Sequence, residues 1–312
     1  MPGIHHITAI AADPIPNFSF YTRDLGLRLV KKTVNFDDPA TYHFYYGDET
    51  GRPGTILTFF PCEGVSPGHQ GIGETHQTAF RVPLHSLAYW TRRFAEKGIR
   101  HGALETRFGE SVLPFTDPDG TALALVGVRE AENEPAWSNG EVPVEHAIRG
   151  FHGVTLLLDD ANQTAGILTD VFGFTETTRE GSVIRYKAAG DANGGVVDIY
   201  ESRSFPRGYQ GSGSVHHIAF RAADDAEQSQ MAQKLIHNHG LHPTEQMDRN
   251  YFRSVYFREP GGILFEIATD IPGFTVDEPA ATLGRALKLP SFLEPHRAEI
   301  EDILPDLEAA VA

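Results

Sequence analysis

The sequence predicts an α+β chain made of four βαβββ modules and a C-terminal tail, and three observations carry that prediction. First, four strand-like segments begin alike, each with a histidine near its start: GIHHITAI from Gly3, THQTAFRV from Thr75, GFHGVTLLL from Gly150 and VHHIAFRA from Val215. Self-similarity at a nearly constant period marks a repeated supersecondary unit. Second, each segment is followed by a helical pattern that stops at a glycine (Gly26, Gly98, Gly173, Gly240), which falls 21, 22, 21 and 24 residues after the leading histidine. Glycine just past a helix supplies the left-handed C′ conformation without steric cost. Third, each unit has a late glycine turn before its last strand, in RPGTILTFF, DPDGTALALV, ANGGVVDIY and EPGGILFEI. Such dipeptides punctuate hairpins.

In chain order, modules one and two fill an N-terminal domain, residues 1–130. Residues 131–148, polar and broken by Pro and Gly, read as a linker, and modules three and four fill a C-terminal domain, residues 149–272. Residues 273–312 lie outside the repeat and are expected to form a helical tail. A chain of 312 residues can bury two real cores, and its 40% hydrophobic and 22% charged content is that of a globular protein. The net charge of −16, with no basic block, argues against nucleic acid or an anionic membrane as partner. A small neutral or weakly charged ligand is compatible. The single cysteine, Cys62, excludes an intrachain disulfide. No leader pattern and no apolar run of spanning length occur, so the expected location is cytoplasmic. The oligomeric state is not written in the sequence, and a homo-oligomer is compatible with it.

Two of the four leading histidines are doubled, as His5-His6 and His216-His217. Successive strand residues point to opposite faces, so one histidine of each pair is expected on the cavity side. His216 shares its face with Ile218 and Phe220, a pattern that suits packing on a helix. His217 shares the other with Ala219 and Arg221, and His6 with Thr8, a smaller and more polar set that suits a concave ligand face. Across the repeats the second-histidine position reads His6, Gln77, Gly153, His217. The late-strand position, counted from the turn glycine, reads Thr58, Ala124, Ile199, Glu266. Two imidazoles and a carboxylate are a minimal open site for a divalent metal. One such site, His6, His217 and Glu266, is therefore expected, and it requires the first and last modules to lie side by side. The leading histidines His5, His76, His152 and His216 occur in all four modules and read as structural. His237, His239 and His242, at a helix end without a carboxylate or cysteine nearby, read as surface residues.

Together, GIHHITAI, YHFYYGDETGRPGTILTFFP, RGFHGVTLLL, VHHIAFRA and NYFRSVYFREPGGILFEIATD resemble the vicinal-oxygen-chelate (glyoxalase/bleomycin resistance/extradiol dioxygenase) superfamily over residues 3–272. They resemble within it the ring-cleaving dioxygenase branch that acts on hydroquinones, as does the tail LGRALKLPSFLEPHRAEIE. The resemblance implies paired modules with cupped mixed sheets, and an Fe(II)-dependent dioxygenase acting on a small aromatic substrate with O₂. It implies His6, His217 and Glu266 as ligands of Fe(II), with Mn(II) as the second choice. It also implies substrate-side roles for Tyr256 and Arg249 and places His5 and His216 near the metal, in competition with their structural reading. The alternative is a metal-dependent lyase or isomerase of the glyoxalase or epimerase type. Those enzymes generally use four protein ligands, and here the module-one equivalent of Glu266 is Thr58.

Overall fold

The computed structural model describes residues 2–190 and 193–307; the remainder, including part of the third module's late turn and the end of the tail, lies outside the described residues. Each module contributes four strands. Module one holds β1 (Ile4–Ala11), β2 (Arg28–Asn35), β3 (Asp38–Gly47) and β4 (Ile56–Pro61). Module two holds β5 (Glu74–Pro83), β6 (Glu105–Arg107), β7 (Glu110–Thr116) and β8 (Ala122–Val128). Module three holds β9 (Gly150–Leu158), β10 (Phe174–Glu180), β11 (Val183–Ala188) and β12 (Val196–Glu201). Module four holds β13 (Ser214–Ala222), β14 (Met247–Asp248), β15 (Arg253–Arg258) and β16 (Leu264–Thr269).

The helices stand where the repeat placed them. They are α1 (Pro14–Ser19, prolonged by a wider turn over Phe20–Asp24), α2 (Leu87–Lys97), α3 (Asn162–Asp170) and α4 (Asp225–His239). All four terminating glycines adopt positive φ, between 64° and 71°. Asp13 and Asp224 cap the first and last of these helices by accepting the Ile15 and Glu227 amides, bonds each contributing about 1 kcal/mol.

The sixteen strands form two eight-stranded sheets. One runs β14-β15-β16-β13-β1-β4-β3-β2 and the other β10-β11-β12-β9-β5-β8-β7-β6. The sheets thus cut across the division at residues 131–148: module one pairs with module four, and module two with module three. The seams are antiparallel, β1 on β13 and β5 on β9. The linker itself is no free tether, because Val142, Ala147 and Ile148 are buried in the core. The helices cover one face of each sheet, where Tyr21, Trp90, Phe94, Ile167 and Leu235 join strand residues such as Phe44, Phe151 and Phe220 in one continuous core. Side chains of this size each contribute roughly 1.5–3 kcal/mol on burial.

Every leading histidine occupies a bulge in a seam. The β1–β13 register steps from Ile4/Phe220 to His6/Ala219 and from Thr8/His217 to Ala9/Val215, so His5 and His216 have no partner opposite them. The β5–β9 register skips His76 and His152 in the same way. An extra residue in one strand breaks strict alternation and re-aims its side chain. The expectation that the two histidines of a pair must face opposite sides is corrected by this: the bulge lets both imidazoles of a doublet meet.

The tail departs from the helical expectation. Among its described residues the one α-helix is α5 (Arg297–Ile303), and the stretch before it meets the β2 edge, where the Lys288 amide donates to the Lys32 carbonyl. Prolines 279, 290, 295 and 305 cut the tail into stretches of at most ten residues, and Gly284, at φ 76°, interrupts the longest of them. The buried Lys31 ammonium anchors it, donating to Asp277 at 2.6 Å and to Glu278. Among the described residues no helix is long and apolar enough to cross a membrane.

Candidate metal centre

The β1–β13 seam brings His6 and His217 face to face, although they lie 211 residues apart, with their Nε2 atoms at 3.3 Å. Glu266 arrives from β16, which pairs with β13 in parallel so that Glu266 lies beside Ala219. Its Oε2 stands 3.2 Å from His6 Nε2 and 2.9 Å from His217 Nε2. All three side chains are buried, Glu266 completely.

Both Glu266 oxygens nevertheless lack a hydrogen bond. Three metal-type ligand atoms converge here, and an ionised carboxylate buried in such a place is costly unless a cation joins it. With metal–ligand bonds of about 2.1 Å, donors set at right angles stand about 3 Å apart. The observed triangle therefore fits one side of a six-coordinate divalent ion. Burial alone would push the Glu266 carboxyl up, but the two imidazoles outweigh it and hold it well below the usual carboxylate range. Burial pushes His217 down against the opposing pull of Glu266, which favours the neutral imidazole that a metal needs.

The bulged histidines stand behind the two convergent ones. His5 Nδ1 lies 2.9 Å from His6 Nδ1, and His216 Nδ1 lies 2.8 Å from His217 Nδ1. A partner on Nδ1 fixes the tautomer that leaves the Nε2 lone pair free. Burial, and then the neighbouring imidazole, push His5 well down and His216 down to about 4, so both stay neutral acceptors at pH 7. His5 and His216 thus support the convergent pair directly.

The triad opens onto a cavity of about 450 Å³ whose aromatic wall includes Phe36, His43, Tyr45, Phe60, Phe252 and Tyr256. Phe252 lies against His6, ring centres 4.7 Å apart. The Tyr256 ring meets His217 edge-on at 5.6 Å. The Arg249 guanidinium lies over the Tyr256 ring at 5.5 Å and faces Asp37 at 3.9 Å. Burial raises the Tyr256 phenol, so it remains a protonated donor. His5, His6, His216, His217, Arg249, Tyr256 and Glu266 therefore share one neighbourhood, whereas His76 and His152 belong to the other sheet.

Two things escaped the sequence reading. His43 lines the same cavity, and its signal was the alternation in YHFYYG, which puts His43 and Tyr45 on one face and Tyr42, Phe44 and Tyr46 on the other. The third-module counterpart of Glu266 is Asp198, since Asp198 pairs with Thr155 as Glu266 pairs with Ala219. The double glycine in ANGGVV had shifted the count by one, onto Ile199.

The model of the Glyoxalase/Bleomycin resistance protein/Dioxygenase superfamily matches residues 3–125 and 150–267. MhqO of Bacillus subtilis (strain 168), named as a proposed ring-cleaving dioxygenase, is 48% identical over 97% of this chain and 96% of its own. The chlorohydroquinone/hydroquinone 1,2-dioxygenase of Sphingobium indicum is 32% identical over 96% of this chain and 94% of its own. A crystal structure of a proposed dioxygenase from Bacillus subtilis subsp. subtilis str. 168 superposes with a TM-score of 0.92 at 46% identity, covering 97% of this chain and 96% of that one. With the repeat, the paired cups and matches over nearly the whole length in agreement, the chain belongs to the glyoxalase/bleomycin resistance protein/dioxygenase superfamily.

Proposed function

We propose that this protein is an Fe(II)-dependent ring-cleaving dioxygenase that opens a dihydroxybenzene of the hydroquinone type with O₂. The observation that carries the reading is the donor set: His6, His217 and Glu266 converge from one side, and the position where module one could supply a second carboxylate holds Thr58. Three protein donors leave positions for outside oxygen ligands, the pattern of non-haem Fe(II) oxygenases, whereas isomerising relatives need the fourth. Mn(II) accepts the same donors and is the second choice. The names of the relatives support the reaction class, and the Sphingobium indicum protein supports a hydroquinone.

The chemistry that Fe(II) supplies when bound is acidification of a ring hydroxyl and electron transfer between the ring and O₂. The chain's residues set the conditions for it. The aromatic wall accepts a flat, electron-rich ring and excludes water from it. Tyr256 keeps its proton and can donate it in a hydrogen bond to substrate oxygen. The Arg249 guanidinium supplies positive charge where negative charge develops on the opening ring. His5 and His216 hold the two ligand imidazoles in register.

Anaerobic reconstitution with Fe(II), followed by O₂ uptake on hydroquinone, chlorohydroquinone, catechol and gentisate, tests the proposal. Stoichiometric uptake with a hydroquinone supports it. A protein that binds Fe(II) yet consumes no O₂ with any ring, and turns over a hemithioacetal instead, overturns it.

A further inference from the structure

The first and fourth modules contribute matching frames to the cavity. In module four, Glu266 lies between Ala219 on β13 and Tyr256 on β15. In module one, Thr58 lies between Thr8 on β1 and Tyr45 on β3. Thr58 thus stands where a second carboxylate would stand, and it is not idle. Its hydroxyl donates to Thr8 Oγ1 at 2.8 Å. His43 Nε2 lies 3.0 Å from the same Thr58 oxygen, and the Tyr45 hydroxyl lies 3.0 Å from His43 Nδ1.

One proton order through this array leaves a donor free for a bound anion. A hydroxyl has one proton. With the Thr58 proton on Thr8 Oγ1, Thr58 accepts from His43 Nε2–H and the bare Nδ1 accepts from Tyr45. The Thr8 proton is then left without an acceptor among the described residues, on the cavity wall two residues after His6. The array cannot easily shift. Thr8, Thr58 and Tyr45 are buried, and the His43 ring is held between Tyr45 at 4.1 Å and Phe60 at 4.3 Å, tilted against both. Burial, and then the nearby imidazoles of His6 and His217, push His43 well down, which favours the neutral ring.

We propose that His43 is a positioning residue for the reaction: acting through Thr58, it fixes the Thr8 hydroxyl as a donor to an anionic ring oxygen bound on the side of the cavity that lacks a protein carboxylate. The inference rests on the ring-cleavage reading above. A carboxylate there would repel a phenolate and compete with it for the cation. A neutral hydroxyl with its proton aimed into the cavity attracts it, and hydrogen bonds to charged oxygen are the stronger ones.

The test uses the Fe(II)-loaded protein without O₂ and reads the affinity for 4-nitrophenol as the nitrophenolate absorbance of the bound probe. His43→Leu and Thr8→Val should each weaken binding about 10-fold. The double variant should lose no more than Thr8→Val alone, because the two act as one unit. Fe(II) affinity should not change in any of them. His43→Gln, which keeps a donor towards Thr58, should recover most of the loss. Thr58→Val, an isostere that cuts the link without touching the tilted rings, should behave like Thr8→Val and serves should His43→Leu fold poorly. Losses that add in the double variant, or His43→Leu and Thr58→Val proteins that bind the probe like wild type while wild type consumes O₂ with hydroquinone, overturn this inference alone. A wild-type protein that neither binds the probe nor consumes O₂ overturns it together with the ring-cleavage reading.

Discussion

The cup formed by modules one and four and the cup formed by modules two and three share strand order, seam and bulges, yet they balance charge in opposite ways. In the first, a buried carboxylate faces two imidazoles, and among the described residues no Lys or Arg side chain meets it. In the second, the equivalent carboxylate, Asp198, is met by the Arg185 guanidinium through two bonds of 2.8 Å. Arg185 also donates to Glu110, whose Oε1 takes His152 at 3.1 Å. The arginine does with a side chain what a metal would do in the other cup, and it fills the space as well: about 20 Å³ is left there, against about 450 Å³. The second cup cannot be converted by restoring a histidine, because a Cβ on Gly153 would meet the Val196 carbonyl oxygen at 2.1 Å. One repeat frame therefore yields a reactive centre or a structural ion cluster, depending on which cation the carboxylate is left to find.

Breaking the first cup should give the largest effect. Glu266→Gln keeps the size of the side chain but removes the charge, and Fe(II) affinity should fall by more than about 100-fold, beyond the loss usual for residues that only support a ligand. Metal content after dialysis against a weak chelator measures this. The matching break in the second cup is Arg185→Met. It leaves two acidic groups without their buried partner and should cost about 3 kcal/mol in urea unfolding, while Fe(II) binding persists.

A finer comparison uses the bulged histidines. His216→Asn should weaken Fe(II) binding by roughly 10–100-fold, whereas His152→Asn, at the same bulge position in the other cup, should leave it unchanged. Equal effects in a metal titration would mean that the bulge histidines act only on the fold.

The smallest effect is the pH response of the second cup. Burial would raise the Glu110 carboxyl, but His152 and Arg185 outweigh it and lower it to about 2. A carboxyl depressed on folding contributes stability that is complete above its unfolded value, about 4.5, and is lost as pH falls through about 2. Glu110→Gln should therefore cost about 2 kcal/mol at pH 7. The deficit should shrink between pH 4.5 and pH 2, as read from urea unfolding at stepped pH.

The repeat was legible because helix-ending glycines and turn glycines recur at fixed offsets, and it led to His6, His217 and Glu266 without any contact information. The roles of His5 and His216 were not legible in the same way. Alternation assumes an unbroken ladder, and only the paired register shows that each histidine is the unpaired residue of a bulge. Asp198 was missed for a related reason: with two glycines in the turn, only strand pairing tells which one starts the count. The tail was read as helical, whereas its prolines and Gly284 break it into short pieces. The Arg185 cluster is assembled from three strands of two modules, so no local window could contain it.

The antiparallel seam that joins the first strand to the thirteenth also has a meaning in time. During synthesis His6 emerges early, but its partners are encoded more than two hundred residues downstream. Modules two and three can close their cup first, while module one waits with an open sheet edge. Only when the fourth module leaves the ribosome do both ends of the repeat meet, so the three convergent side chains can come together only after Glu266 has been translated. A product truncated before module four would carry the aromatic residues of module one and His6, but neither His217 nor Glu266.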